Sequence, residues 1–522
     1  MSSGRAYPTE IQAVRWLPCA YTNNIFVIRE QSSLCRIFHD ASRTTPPRNR
    51  GNHHSKWAPI EDFLFTSLFI NKLFFEEAAR RLWEGCGVRF YAHWCGHATP
   101  GITQLATIAE RDVKRAQIYA NFLRSLSFEL EEDMEGNFHP EARWHSQLTQ
   151  LQYPQLKEVS FYPAGEDAPK FNTEVNIIHY AQPNICHFSV SSSSDVSNDL
   201  LEALGERCPK LRHFDLRVSE GGASITPNEL LQFLEKFHLM KVLDIGNLEW
   251  SAECFEEVSK YPNLELLCCP PIQDDWLKKV NDGFPSLINL STILSDEALE
   301  NLQHIVPGMK YLRISPTAAS HHQLAAASKF VHLGDLELRS FSDTEWSING
   351  SELVLLSQSC PNLTELAVGS DEFSKRPSAA GLIDDTIDTA AQNFKSLEVL
   401  ELYFDSTTPL TFFSIQSLAK HCPNLQRLEL TCNIDWNYIE RNNLGAIFPR
   451  LWSLEIDCHP ASEPYGHVTD EDDEEEYEEK RKTLAKKIAD LAPKMINFVV
   501  KNGTGMEEDL ESAVTEITLD RD

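Results

Sequence analysis

Four side chains of ligand type, Cys86, His93, Cys95 and His97, fall within twelve residues of this chain. Thiolate and imidazole groups bind zinc, and strand alternation would place His93, Cys95 and His97 on one face. Their spacing matches no common finger or ribbon, so ordinary packing and surface positions are expected, with no metal site. The pairs His53-His54 and His321-His322 have no Cys or acidic partner at ligand spacing. Cys268 and Cys269 are adjacent, so in a strand they face opposite sides and read as packing thiols. Nucleophilic catalysis needs a nucleophile, a base and an orienting group in one geometry. The chain has no Gly-x-Ser-x-Gly elbow and no phosphate-cradling glycine loop. The run Ser191 to Ser194 reads as a turn after a strand, with phosphorylation as the functional alternative. No enzyme, cofactor or catalytic residue is expected.

What organises these residues is a recurring phrase: small or Pro, any residue, apolar, two spacers, apolar, one spacer, apolar. It reads cleanly at Pro361-Asn362-Leu363-Thr364-Glu365-Leu366-Ala367-Val368 and at Pro423-Asn424-Leu425-Gln426-Arg427-Leu428-Glu429-Leu430. The frame also starts at Pro154, Pro183, Pro209, Pro262, Pro285, Pro307 and Pro449, with looser copies at Asn121, His238, Val331, Lys395 and Pro493. Subtraction of these positions gives spacings mostly of 22 to 34 residues. That period marks a leucine-rich-repeat solenoid, an α/β horseshoe with one strand plus one helix per unit. Leu428 and Leu430 sit two apart and share one strand face. The Pro ends the helix before it, such as Ser414 to His421 with Ile415, Leu418 and Ala419 at helical spacing. Cys208, Cys360 and Cys422 fill the slot before Pro, as in the cysteine-containing subtype of the repeat. Stacked units share one core and present a surface that binds macromolecules.

The net charge is −30 and 42% of residues are hydrophobic. Such a chain folds but lacks the basic stripe that nucleic acid requires. No apolar run of about 18 residues predicts a membrane span, and the N-terminus shows no secretory signal. Thirteen scattered cysteines read as reduced thiols, placing the protein in cytoplasm or nucleus. Residues 1–58 read as an atypical or disordered segment, with the Pro- and Arg-rich stretch 43–56 as a linker. Residues 59–86 read as partial helices, 87–120 as a helical connector, 121–502 as the solenoid, and 503–522 as a frayed acidic tail. The insertion 463–482 includes Asp470 to Glu479, where nine of ten residues are acidic. It reads as a solvated loop or mobile helix extension, or as a contact for a basic partner.

One segment points to a specific partner. Phe63 to Cys86 contains Leu64, Leu68, Phe69 and Ile70, then Phe74, Phe75, Ala78, Leu82 and Trp83. This resembles the second half of an F-box, and the layout resembles fungal F-box proteins with leucine-rich repeats. The resemblance implies a substrate-recognition subunit of an SCF-type ubiquitin ligase. Leu64, Leu68, Phe74, Phe75 and Trp83 would hold a Skp-type adaptor and, through it, a cullin. The family's first half opens with Leu-Pro and an acidic residue. Here Leu17-Pro18 is followed by Cys19-Ala20-Tyr21, and a Pro/Arg/His linker precedes Phe63. Weak or absent adaptor binding is the expectation for this sequence. Residues 63–83 then read as a cap that buries the same side chains against Leu123, Leu126 and Phe128.

The alternative reading is an interaction scaffold without adaptor. A GTPase-activating solenoid of the Ran type is disfavoured, because its units carry Asn after the strand, found here in a minority of units, and the acidic run here lies inside the array. On the strand face, Asp215, Asp244, Glu337, Glu401, Glu429 and Glu455 stand against Arg217, Arg313, Arg339 and Arg427. Glu401, Glu429 and Glu455 share one slot in successive units. The expectation is an exposed acidic ladder that binds a basic segment of the protein substrate.

Overall fold

The computed structural model describes residues 72–83, 85–87, 102–129, 144–162, 174–192, 196–218, 223–280, 283–317, 320–340, 345–370, 375–405, 410–442, 444–458, 474–501 and 506–519. The expectations for 1–58, Leu64, Leu68, His93, Cys95 and His97 lie outside them. The chain divides into two compact units, Met1–Lys210 with Val218–Ser224, and Leu211–Arg217 with Ile225–Asp522.

The first unit carries strands β1 (Gly85–Gly87), β2 (Ser125–Glu129), β3 (Glu158–Tyr162) and β4 (His187–Ser192). They pair in chain order, all parallel. Helices Ile102–Arg111 and Val113–Ala120 precede β2, and Asn198–Arg207 follows β4. Alternate residues point to opposite faces, so Leu126, Phe128, Val159, Phe161, Phe188 and Val190 are all buried. Phe128 and Phe161 stack at 4.9 Å.

The second unit continues the pattern with β5 (His213–Val218), β6 (Val242–Asp244), β7 (Leu266–Cys268), β8 (Asn289–Leu294), β9 (Tyr311–Pro316), β10 (Asp335–Ser340), β11 (Ser347–Asn349), β12 (Glu365–Ser370), β13 (Ser378–Ala380), β14 (Val399–Leu402), β15 (Leu410–Thr411), β16 (Arg427–Asn433), β17 (Ser453–Cys458) and β18 (Asn497–Lys501). The main ladder runs through β5–β10, β12, β14 and β16–β18, parallel throughout. β11 and β13 pair separately, and β15 pairs with β16. In every frame of the sequence the strand starts four residues after the frame's first residue, from Asn121 and Ser125 to Pro493 and Asn497. The leucine-rich-repeat reading is thereby met. β1, made of Gly-Cys-Gly, carries no such frame and went unforeseen.

Repeats are also joined at their helix N-termini. Glu174 opens one helix and accepts from the N–H and hydroxyl of Ser197, at 2.7 and 3.0 Å; Ser197 is the N-cap of the next helix. Asp274 accepts from Ser295, the following N-cap, at 2.8 Å. Asp384 accepts from the N–H and hydroxyl of Thr411, at 2.9 and 2.6 Å. Each carboxylate serves two helix ends, where donors are unpaired and negative charge is favoured. The device corrects the reading of His321-His322. Asp296 accepts from both backbone N–H groups, at 2.9 and 3.0 Å, and Glu352 meets His322 Nδ1 at 2.7 Å. Acidic partners come from the flanking repeats, too far along the chain for local spacing to show.

The slot cysteines are buried C-cap residues. Burial pushes the Cys208 and Cys422 thiols up to about 12 and that of Cys360 to about 11, so they stay protonated and inert. The C-terminal tail differs from expectation. Met506–Leu519 is a helix, packed on helix Glu474–Leu491, with Leu510 and Val514 fully buried. Its apolar residues at helical spacing outweigh the acidic composition. The acidic run enters helix Glu474–Leu491, and Tyr477 donates to Asp509 at 2.7 Å. Among the described residues, no helix is long and apolar enough to cross a membrane.

Candidate functional site: the strand face

The strands of the second unit bring one row of side chains together in register: Asp215, Asp244, Cys268, Ser291, Arg313, Glu337, Ala367, Glu401, Glu429 and Glu455. All of the acidic and basic residues singled out above lie in this row or within two residues of it. The ladder of Glu401, Glu429 and Glu455 forms as expected. Its environment does not match the expectation.

Glu401 and Glu429 each retain 4% of their exposure, and Asp457 none. Arg313 meets Glu337 at 2.5 Å, and Glu337 also meets Arg339 at 3.3 Å. Arg339 pairs with Glu401, which Arg427 reaches at 3.3 Å; Arg427 also pairs with Glu429. Lys501 meets Glu455 at 2.7 Å, and Arg376 pairs with Asp457. Five cations (Arg313, Arg339, Arg376, Arg427, Lys501) therefore face five carboxylates (Glu337, Glu401, Glu429, Glu455, Asp457) in this network. The ladder is neutralised and buried, not exposed and acidic. Each carboxylate taken out of water needs such a partner.

Two residues make this possible. Arg339 on β10 reaches Glu401 on β14 across β12, which offers only Ala367 and Gly369 beneath it. A Cβ on Gly369 would stand 2.7 Å from Tyr403 Cβ, so the glycine admits the tyrosine. The Tyr403 hydroxyl lies between the Glu429 and Glu455 carboxylates, and Lys501 Nζ sits 5.4 Å from its ring centre. Burial, then Glu429 and Glu455, hold the phenol far above its usual range, so it keeps its proton. Burial pushes the Glu401 carboxyl up to about 7; Arg339 pulls it back, and Glu429 raises it again. Thr431 donates to Asp457 at 2.9 Å.

Sequence reasoning missed Tyr403, Lys501, Asp457 and Arg376. The first three sit two residues beyond the row, on the same strand face, so alternation alone would have found them. Arg376 lies outside any frame and 81 residues from Asp457.

At the other end of the second unit the face is open. In β5, His213, Asp215 and Arg217 keep partial exposure. Arg217 meets Asp215 at 3.1 Å and Asp244 at 2.6 Å. Ile293 and Tyr311 are exposed, at 36% and 41%.

The F-box-like segment lies in the first unit. Phe74 falls in helix Lys72–Trp83, and its side chain is outside the described set. Phe75 is half-buried, 6.3 Å from the Tyr119 ring. Trp83 is buried and stacked on Tyr119 at 5.0 Å, and Ala78, Ala79 and Leu82 are buried with it. The helix spends this face on its own unit, so Trp83 is not an exposed anchor. A ring partner that the sequence reading did not name is Tyr119, on helix Val113–Ala120 just before the first repeat.

No family model and no curated protein matches the chain. Among solved structures it is similar to the Rad7 and Elc1 complex in yeast, at 14% identity and TM-score 0.39, covering 85% of this chain and all of that one (100%). It is also similar to the plant peptide hormone receptor RGFR1 in complex with RGF2, at 13% identity and TM-score 0.27, covering 65% of this chain and 56% of that one.

Proposed function

We propose that this chain is a non-catalytic protein-binding solenoid that holds a target within a ubiquitin ligase of the SCF type. The observation that carries the binding role is the open strand face of the second unit, where polar and apolar side chains stand exposed on a rigid sheet. The ligase setting rests on the resemblance of 63–83 and the repeats to fungal F-box proteins. In that setting the chain breaks no bond. It raises the effective concentration of its target beside a ubiquitin-loaded enzyme.

A second reading, a scaffold that recruits no adaptor, is favoured by the burial of Trp83 against Tyr119. One experiment separates the two. Purified full-length chain is mixed with a recombinant Skp-type adaptor and run on a sizing column. The first reading expects a complex that Leu68→Asp abolishes at unchanged melting temperature. The second expects no complex, and a lower melting temperature for Leu68→Asp.

A further inference from the structure

We infer that the second unit docks an arginine-bearing segment of its partner across β7–β14, with Tyr311 as the aromatic anchor and Asp335, Glu365 and Glu398 as the anionic flank. The inference rests on the protein-binding role proposed above and on no adaptor. It moves the basic-segment site away from Glu401, Glu429 and Glu455, whose charges are already met.

Tyr311 lies opposite Asp335, and Asp335 opposite Glu365, in neighbouring parallel strands. Tyr311 keeps 41% of its exposure, and Glu365 is also exposed. On its other side Tyr311 lies opposite half-buried Asn289; beyond that stand half-buried Leu266 and Val242, and exposed Ile293 lies further along β8, opposite Ser315. Unlike the ladder, these carboxylates have neutral partners. Thr364 donates to Asp335 at 2.7 Å, and Gln426 donates to Glu398 at 2.9 Å. Among the described residues, none of the three has an ion pair of 4.0 Å or less. Burial raises Asp335 and Glu365, and Glu398 raises both further. Arg427 is the cation that draws Glu365 down, and it is held by Glu401 and Glu429. The surface thus lacks a cation at the place where its carboxylates repel one another.

A guanidinium suits this arrangement better than an ammonium. Its plane stacks on a tyrosine ring, and its fork bonds two carboxylate oxygens at once. Leu266 and Val242, on the strands beyond Asn289, call for an aliphatic side chain a step away from the arginine.

The test uses the full-length chain and a fluorescein-labelled peptide of alternating Arg and Leu, with Lys/Leu and Glu/Leu peptides as comparisons. Polarisation is read across a salt series. The Arg/Leu peptide should bind more tightly than the Lys/Leu peptide, and the Glu/Leu peptide should not bind. Tyr311→Ala and the double variant Asp335→Asn/Glu365→Gln should each weaken binding about tenfold. The double variant should also flatten the salt dependence. Its melting temperature should hold or rise, because two strained carboxylates are removed, so lost binding would not reflect unfolding. Wild-type affinity in both variants would overturn the inference. So would loss of binding only on neutralising the acidic run Asp470 to Glu479. Failure of the unaltered chain to bind any peptide would also overturn it, leaving the adaptor assay to judge the proposed function separately.

Discussion

β5 and β17 come from the same repeat frame and meet different fates. In β5 the strand-face residues His213, Asp215 and Arg217 stay partly exposed between buried Phe214, Leu216 and Val218. In β17 all six residues are buried. The frame dictates which way a side chain points, and alternation follows from strand geometry alone. What lies above the side chain is decided elsewhere. Over β5, Arg217 reaches a neighbour on its own strand and one on the next. Over β17, Asp457 is met by Arg376 from outside the ladder, and Glu455 by Tyr403 from β14's end and Lys501 from β18. Long polar side chains close one end of the face and leave the other available.

The closed end should therefore respond most sharply to loss of charge. Arg376→Ala removes the cation paired with the wholly buried Asp457, and should cost about 3–5 kcal/mol. The surface pair Lys241–Glu265, at 2.8 Å and well exposed, belongs to the open stretch. Lys241→Ala should cost under about 1 kcal/mol. Urea unfolding of both variants measures the contrast, and equal losses would mean that Arg376 does not seal the face.

The core beneath the two ends should not share this difference. Leu366 and Leu428 are fully buried, and either leucine replaced by Ala should cost about 2–5 kcal/mol. A melt without loss would place the repeat frame wrongly.

Gly369 tests the route by which the face closes. An added Cβ meets Tyr403 Cβ at 2.7 Å and its carbonyl oxygen at 2.9 Å, both near backbone with little room to yield. Gly369→Ala should cost about 1–3 kcal/mol by overpacking. It should also displace Tyr403, and a rise in Glu429 and Glu455 accessibility to carboxylate labelling would report it. An unmoved Tyr403 would show that the glycine is incidental.

These contrasts explain what could be read from the chain alone. Every strand of the framed repeats was legible, because Leu366 and Val368 or Leu428 and Leu430 sit two apart and each frame ends a helix. The register of Glu401, Glu429 and Glu455 followed from the same spacing. Their burial did not, because it depends on Arg339 crossing a strand and on Arg376 arriving from 81 residues away. The F-box-like residues illustrate the same limit. Helix Lys72–Trp83 was expected, yet its stacking on Tyr119 is a contact between elements that no local pattern records.

The smallest effect expected is a pH dependence of opposite sign in the two units. In the second unit, burial first raises Asp335, Glu365 and Glu401, the last to about 7. A carboxyl raised on folding binds its proton more tightly in the native state. Between the ordinary carboxylate range and neutrality the native unit then holds more protons than the unfolded chain, so stability falls as pH rises. In the first unit, burial lowers His179 and His187. There the unfolded chain holds more protons below the usual histidine range, so stability falls as pH drops. Half-buried Asp388 and exposed Glu345, lowered by their hydrogen bonds, act only at more acid pH. Hydrogen exchange at pH 7 and pH 5.5, corrected for intrinsic rates, should show protection increasing around β10–β14 and decreasing around β4. Glu401→Gln should remove part of the first trend and none of the second. Parallel trends in both units would mean that the buried carboxylates of the second unit stay ionised, held by Arg339 and Arg427 against the cost of burial.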